Sequence, residues 1–312
     1  MSSCYVASTM QTDVLKPAVW TFPSEIYRIG VVSRMDLEYK RTDGLIDLQS
    51  TLAFKRDSSL LKSGVLGLLD GLAESPRFEA FEIKSPRVLY GSNSDLEKSL
   101  SWDLVGKLAQ KDSLDMLISL TSANFTDTIM NFEFREGFSI SYVLYPRVYW
   151  RLYNLRERKI TQYIYKDTLA YLTGINNSYP PISKIIKNFN NALGVAGYAF
   201  SRELAPFWEL EERDWFPSGN NSMDMAGKLA GDGQWAEASE IWRELAYSNN
   251  RSQAAKASFN MAVASEMMDR LDLGIEWLNR SKQLGLGYYT YFYRKILEQR
   301  QKLQPLLEFQ MK

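Results

Sequence analysis

An internal repeat in the last third of the chain constrains the fold more than any other sequence feature. Residues 232–242 and 268–278 align when Trp235 is placed on Leu271, an offset of 36 residues. The alignment also places Ala238 on Gly274 and Trp242 on Leu278. A small residue lets two antiparallel helices approach closely, and large residues one turn later fill the space between them. The offset is close to the roughly 34-residue period of stacked helix pairs.

The residues around this repeat complete an all-α domain over residues 182–312. Helical spacing predicts first helices at 225–229 and 253–267 and a capping helix at 288–303. A further helix is predicted from residue 182 to about residue 204, after the boundary signal at Pro180-Pro181. Two repeats and a cap are near the minimum for a stable stack, so we expect this domain to depend on the preceding one.

The preceding residues, 24–174, predict an α/β sandwich with a mixed sheet, and the whole chain is therefore assigned to the α+β class. Helices are predicted over 58–72 and 101–110, and a polar loop over 34–43. Residues 1–23, which contain Pro17 and Pro23, are predicted to form an extended tether. Strands are predicted at 27–32, 77–83, 115–120, 138–145, 147–153 and 160–166.

Charge and composition exclude several function classes. The 312 residues include no histidine, so a Ser-His-Asp triad, a Cys-His dyad or a histidine-ligated metal cannot be built from this chain alone. The 37 basic and 37 acidic side chains balance, which gives no general argument for nucleic acid. One predicted strand face alternates basic and aromatic residues, which can bind single-stranded nucleic acid, but the neutral balance favours an ordinary solvent-facing strand. These residues are Arg147, Tyr149, Arg151 and Tyr153.

Cys4 is the single cysteine, so it cannot form an intramolecular disulfide. Small residues precede it in Ser2-Ser3-Cys4, and this resembles the end of a bacterial lipoprotein signal, in which the cysteine becomes the lipidated residue. Only three residues precede it in the sequence, without the basic and apolar regions of a signal peptide. The alternatives are lipidation at Cys4, with a start codon further upstream, or an ordinary free thiol.

A charged cluster between two tryptophans offers the remaining acid-base chemistry. Residues 209–214 include Glu211 and Glu212, which a carboxylate-dependent hydrolase could use if they faced each other across a cleft. The favoured interpretation is a solvated helix end beside a domain interface, to which Trp208, Arg213 and Trp215 are assigned. No catalytic residue, cofactor-binding residue or metal ligand is predicted.

The first domain resembles the periplasmic α/β domain of the curli-secretion lipoprotein and the N-terminal domain of the Tol-Pal β-propeller protein. The matching parts are the strand at 29–32, the helix end at 72–78, the strand entry at 114–118 and the hairpin within 149–165. Those domains bind protein partners or line assemblies, and the resemblance transfers no chemistry to a residue of this chain.

The combination of the two domains resembles a family of Bacteroidetes lipoproteins that pair such an α/β domain with tetratricopeptide-like helices. The resemblance implies lipidation at Cys4 and outer-membrane anchoring facing the periplasm. It favours a non-enzymatic interaction or assembly module whose α/β domain and concave helical surface bind an envelope protein or peptide. The alternatives are a carboxylate-dependent hydrolase acting on envelope glycan and, if Met1 is the true start, a cytoplasmic adaptor. The matching segments are 17–18, 29–34, 205–208 with Arg213, 233–238, 241–242 and 260–262 with Glu266.

Overall fold

The computed structural model describes residues 7–41, 58–83, 99–134, 137–174 and 180–312, which divide into two compact units. The α/β unit contains Pro17–Phe207 and Gln310–Lys312, and the helical unit contains Met1–Lys16 and Trp208–Phe309. Cys4 lies outside the described residues.

The elements of both units follow one another in a mixed order of strands and helices. In the first half they are β1 (Ser8–Lys16), β2 (Arg28–Arg41), α1 (Ser58–Ala73), β3 (Glu79–Glu82), α2 (Trp102–Gln110), β4 (Met116–Phe134), β5 (Gly137–Asn154), β6 (Lys159–Lys166) and β7 (Leu169–Gly174). In the second half they are α3 (Ile182–Leu204), β8 (Phe207–Trp215), α4 (Asn221–Gly231), α5 (Trp235–Leu245), α6 (Arg251–Met267), α7 (Leu271–Leu284) and α8 (Gly287–Gln310).

The described part of the α/β unit contains one mixed sheet, as predicted. Its strand order is β3-β2-β4-β5-β6, and β7 pairs with β5. Strand β2 is parallel to both β3 and β4, while β4, β5, β6 and β7 form antiparallel pairs. The α+β class is therefore confirmed.

Alternating residues of the central strands enter two separate cores. Ile29, Val31 and Ile118 face the larger core, which α1 and α3 cover. Val32 and Leu117 face the smaller core under α2. This period-two alternation places buried residues on both faces of one sheet.

Helices α1 and α3 approach each other through glycines. A Cβ atom on Gly67 would lie 2.1 Å from the backbone oxygen of Gly194, and one on Gly197 would lie 2.1 Å from that of Gly64. Any larger side chain would therefore force the two backbones apart. This contact explains why α3 packs with the α/β unit, whereas the sequence placed it in the helical domain.

Several predicted segments are longer in the structure than in the sequence interpretation. Strand β2 continues to Arg41 because residues 36–41 pair with 122–127 of β4, so the part of the predicted polar loop that is described is a strand. Strand β5 joins two predicted strands through Pro146. The missing N–H of this proline falls between the pairing with β7, which reaches Leu144, and the pairing with β6, which begins at Arg147.

The basic and aromatic face of β5 is only partly open to solvent. Arg147 is exposed and Arg151 is half-buried, as expected for that face. Tyr153 is fully buried, packs edge-on against Trp102, and accepts a hydrogen bond on its hydroxyl from the Leu100 amide at 2.9 Å. The predicted solvent face is therefore wrong at this end, because α2 covers it.

The helical unit contains the two predicted helix pairs, α4–α5 and α6–α7, followed by α8. Equivalent turns close each pair with the same hydrogen bonds: Gln234 N–H donates to Leu229 O, and Arg270 N–H to Ser265 O, both at 2.8 Å. The turn residues Gly233 and Asp269 both have a positive φ, +79° and +56° respectively. The 36-residue offset therefore describes backbone conformation as well as sequence.

The N-terminal strand belongs to the helical unit, which differs from the predicted tether. Strand β1 forms a two-stranded sheet with β8. Met10 packs against the helical core, and the Thr12 hydroxyl lies 3.3 Å from the Met267 sulfur. Residues 8–16 are thus an integral strand.

Candidate functional site

A buried ion pair joins β8 to the end of α6. Alternation along β8 turns Arg213 inward, so that it is 2% exposed, and Glu266 on α6 is also 2% exposed. The Arg213 guanidinium donates through Nε to Glu266 Oε2 and through Nη2 to Oε1, both at 2.8 Å. This two-point geometry is the strongest arrangement of a guanidinium and a carboxylate.

Two residues of α8 complete the environment of Glu266. Tyr293 donates its hydroxyl to Oε2 at 2.5 Å, and Arg300 donates to Oε1 at 2.7 Å. Burial opposes ionisation of Glu266, but the hydrogen bonds and charge of Arg213 outweigh it and lower the pKa of the carboxyl. Four donors use the full acceptor capacity of an ionised carboxylate, which leaves no lone pair for a substrate.

The predicted carboxylate cluster is divided between the two faces of a strand. Its residues lie on β8, so the predicted helix end is wrong. Glu209 and Glu211 face the same way as Arg213, whereas Glu212 and Asp214 are exposed on the other face. Glu211 forms salt bridges with Lys16 and Arg213, whose hydrogen bonds overcome the effect of burial and lower its carboxyl pKa.

The positions of these carboxylates do not suit a glycosidase pair. A general acid needs a raised pKa, and Glu211 has a lowered one. Successive strand residues point in opposite directions, so Glu211 and Glu212 do not face one cleft. No observation on the described residues favours the hydrolase alternative.

A side-chain amide on α6 binds the backbone that follows β8. Asn260 is fully buried; its Oδ1 accepts from the Phe216 N–H at 2.9 Å, and its Nδ2 donates to Phe216 O at 2.6 Å. The Phe216 ring packs against Phe259 of α6 and Tyr289 of α8. The interaction recognises one extended residue through its main chain and its side chain.

Neighbouring residues continue this contact across the helices. Trp215 packs against Trp235 and Trp242 of α5. Pro217 lies so close to α4 that a Cβ atom on Gly227 would be 2.1 Å from its oxygen. Residues 213–217, named here the inner segment, therefore cover the first helices of both pairs.

The inner segment lies where the sequence predicted an open peptide groove. First helices of such repeats usually leave a concave face open for an extended ligand. Here α6 is buried along most of its length, and the chain itself supplies the extended segment. The expected groove is already occupied at α6.

The predicted interface residues lie in different environments within the helical unit. Arg213 and Trp215 are buried against the helices, whereas Trp208 is 47% exposed on β8. Their role at a domain interface stays a prediction.

Helix α8 carries a continuous exposed face that the sequence interpretation did not identify. Tyr288, Tyr291 and Phe292 are 74%, 54% and 52% exposed, and the Phe292 ring lies 5.2 Å from each of the other two. Lys295 lies 4.4 Å from the Tyr291 ring centre. We name the whole face the α8 stripe: Tyr288, Tyr291, Phe292, Lys295, Gln299, Lys302, Leu306 and Phe309, all exposed.

The α/β unit contains a cavity of about 200 Å³. Trp20 and Phe22 line it together with the β5–β6 turn, which contributes Asn154, Glu157 and Lys159.

Across the described ranges, no group of three or more potential metal-ligating side chains was found. None of the described helices is long and apolar enough to cross a membrane.

The chain belongs to the family described as domain of unknown function DUF8603, whose model matches residues 26–216. A second model, described as domain of unknown function DUF6340, matches residues 224–299. The first match ends at Phe216, so it includes residues 26–207 of the α/β unit, β8 and most of the inner segment. No curated protein matches the chain.

Among solved structures, the chain is similar to a Helicobacter pylori protein described as a neuraminyllactose-binding hemagglutinin homolog. The identity is 10%, the match covers 68% of this chain and 93% of that chain, and the TM-score is 0.32. A similarity of this size supports no functional argument.

Sequence reasoning missed Glu266 and Asn260 as organising residues, although one signal was available. The repeat alignment places Glu266 on Ala230, so a charged residue occupies a position that is small and apolar in the first copy. Asn260 gave no comparable signal, because its partner Phe216 is 44 residues away in sequence.

Proposed function

We propose that this protein is a non-enzymatic interaction or assembly module of the cell envelope, anchored through a lipid on Cys4. The α8 stripe is the observation that carries the interaction role. Exposed, contiguous aromatic side chains are characteristic of protein-interaction sites, because they bury a large area at low entropic cost. The partner is a protein, and neither nucleic acid nor a cofactor is part of the proposal.

The closed face of α6 supports a location outside the helical groove. The inner segment fills that face with buried side chains and main-chain hydrogen bonds, so an external peptide would have to displace part of the core. The stripe requires no displacement because its side chains are already exposed.

The interaction role is tested by placing a photo-crosslinking amino acid at position 291 in cells that produce the protein. We expect an adduct of one discrete mass that disappears when Phe292→Ser is added. The same probe at exposed Met225 on α4 is the matched control and should give no such adduct. Equal adducts from both positions, or none from position 291, would contradict the role of the stripe.

The anchor is proposed from the sequence Ser2-Ser3-Cys4 and from the resemblance to Bacteroidetes lipoproteins. Lipidation would hold the module at the outer membrane, facing the periplasm. A Cys4→Ala change in the full-length gene should move the protein from the membrane fraction to the soluble fraction. Unchanged fractionation would refute the anchor and leave the interaction role to be judged by the crosslinking experiment.

A further inference from the structure

The cavity in the α/β unit combines an apolar floor with a polar rim. Met116 and Leu152 form the floor and are 1% and 2% exposed, and the half-buried side chains of Trp20 and Phe22 form one wall. An engineered cavity of about 150 Å³ holds benzene, so a cavity of about 200 Å³ accommodates one substituted six-membered ring. The polar lining residues are Thr21, Asn154, Glu157, Lys159 and Thr161.

Buried polar side chains fix the wall of this cavity. The wall belongs to residues 17–23, which form neither helix nor strand. Gln310 is buried, accepts a hydrogen bond from the Ala18 N–H at 2.9 Å and donates to the Ala18 carbonyl at 3.0 Å. Arg77, also buried, donates to the Pro23 carbonyl at 2.8 Å and has no carboxylate partner among the described residues. Burial of a cation without a counter-ion is costly, and a wall fixed in advance is typical of a ligand site.

Polar groups at the rim are available to a ligand. Asn154 Oδ1 accepts hydrogen bonds from the main-chain N–H groups of Arg156 and Glu157, both at 3.1 Å, so its Nδ2 remains a donor. Within the part of the chain that the structure describes, Glu157 and Lys159 form no ion pair, and the Thr161 hydroxyl forms no hydrogen bond. The rim therefore offers an amide donor, a hydroxyl, a carboxylate and an ammonium group.

We propose that this cavity binds one neutral sugar ring. The C–H face of a pyranose is apolar and matches the floor and wall, while its hydroxyls both donate and accept and match the rim. The half-buried rim residues Asn154 and Thr161 are neutral, whereas Glu157 and Lys159 are exposed, where charges contribute little. This balance favours a neutral ring with several hydroxyls over an ion or an amino acid.

The size of the cavity sets the expected affinity. Pockets that enclose a drug-sized ligand exceed about 300 Å³, so this cavity takes a single ring or one ring of a longer glycan. We expect a dissociation constant on the order of 1 mM for a single ring. The inference goes beyond the interaction role, because the cavity belongs to the α/β unit and the α8 stripe to the helical unit.

Nuclear magnetic resonance of the full chain, with ¹³C-labelled methionine methyl groups, tests the proposal. The probes are the methyl glycosides of glucose, galactose, mannose and N-acetylglucosamine, each at about 10 mM, ten times the expected dissociation constant. At least one should shift the Met116 methyl resonance, because Met116 lies in the floor, where a ligand adsorbed on the surface does not reach it. Met130 lies on the same strand, is 39% exposed and does not line the cavity, so its resonance should not move.

Substitutions on β6 locate the binding. Thr161→Val keeps the shape of the side chain but removes its hydroxyl, and it should weaken binding of the same glycoside about fivefold. Thr161→Phe should abolish binding, because the larger ring occupies the cavity. Gln162→Ala changes the opposite face of β6 and should bind as the parent chain does. Thr161→Val is nearly isosteric, so it tests the hydroxyl even where Thr161→Phe disturbs the fold.

Cyclohexanol and leucine are the comparison probes, because one is a ring with a single hydroxyl and the other is an amino acid. A Met116 shift with either, but with none of the glycosides, would overturn the sugar assignment, as would no shift with any probe. Equal Met116 shifts in the parent chain and in Thr161→Phe would overturn the site. None of these outcomes changes the crosslink at position 291, which tests the interaction role separately.

Discussion

The two helix pairs of the repeat share a turn but differ in what their first helices bury. Equivalent hydrogen bonds and positive φ angles close both pairs. At the last buried turn of the first helix, however, the first pair has Ala230 and the second has Glu266. An unpaired buried carboxylate would be costly, and Glu266 is tolerated because Arg213 of β8 and Tyr293 and Arg300 of α8 donate to it.

This difference separates two roles of the sequence. The repeated residues specify a generic helix pair, and the departure at Glu266 specifies which segment of the chain lies across it. Asn260 also favours this segment, because its side chain binds the Phe216 main chain. The inner segment therefore covers the second pair, and the surface that stays exposed for a partner is on α8.

Removal of the buried carboxylate should have the largest effect. Glu266→Ala leaves Arg213 buried without its main partner and should lower the free energy of unfolding of the helical unit by about 3–5 kcal/mol. Denaturant unfolding followed by tryptophan fluorescence measures the loss. Exposed Glu276→Ala on α7 is the control and should change stability by less than about 0.5 kcal/mol. Equal effects of the two variants would show that the ion pair does not organise the unit.

A fall in pH should weaken the contact between Arg213 and Glu266 less than Glu266→Ala does, because a protonated carboxyl keeps part of its hydrogen bonding. The pKa of Glu266 is lowered in the folded state, so its contribution is fully present above its unfolded pKa of about 4.3 and is lost as the pH falls through the folded value. Stability measured from pH 6 to pH 3 should decline, with a shallower slope in Glu266→Gln. Identical slopes would exclude this linkage.

Loss of the hydrogen bonds between the Asn260 side chain and the Phe216 main chain should lower the free energy of unfolding by an intermediate amount. Asn260→Ala leaves the buried N–H and C=O of Phe216 without their partner and should cost about 2–3 kcal/mol. The same unfolding measurement applies, and exposed Asn249→Ala in the preceding loop should be nearly neutral. A neutral Asn260→Ala would mean that the segment is held by its side chains alone.

The shared turn predicts the smallest effects, of opposite sign at equivalent positions. Gly233→Ala places a Cβ at φ +79° and should destabilise by about 1 kcal/mol, although no neighbouring atom obstructs it. Asp269→Gly removes the same strain at φ +56° and should stabilise by about 0.5–1 kcal/mol. The change also removes the ion pair of Asp269 with Arg300, but this pair is weak because the Asp269 side chain is solvent-exposed, so its loss does not cancel the gain. Changes of the same sign would break the equivalence of the two turns.

Local patterns predicted most of the helices and several strands. Helices α1, α2, α3 and α5 to α7 follow from apolar spacing, and α2 begins at Trp102, next to its predicted start at residue 101. Three features required long-range information. Pro146 is tolerated because β5 changes partner there, and β2 extends because β4 pairs with it. Helix α3 packs against α1 through glycines that lie 127 or more residues from their partners in sequence.

The candidate site was less predictable than the fold. Arg213 and Trp215 were identified from the cluster between tryptophans, but their partners lie on helices that sequence reasoning could place only as generic repeats. The alternation in residues 207–215 would have revealed a strand, whereas the charges suggested a helix end. The α8 stripe could not be distinguished from a buried face, because aromatic residues occupy several sides of this helix.

Amide hydrogen exchange at Phe216 tests most directly whether the chain itself closes the α6 face. The Phe216 N–H is bound to Asn260, so it should exchange as slowly as the core amides of α6 and open only when the helical unit unfolds. Exchange of Phe216 within seconds, while α6 stays protected, would show that the inner segment leaves an intact groove and would contradict internal occupation.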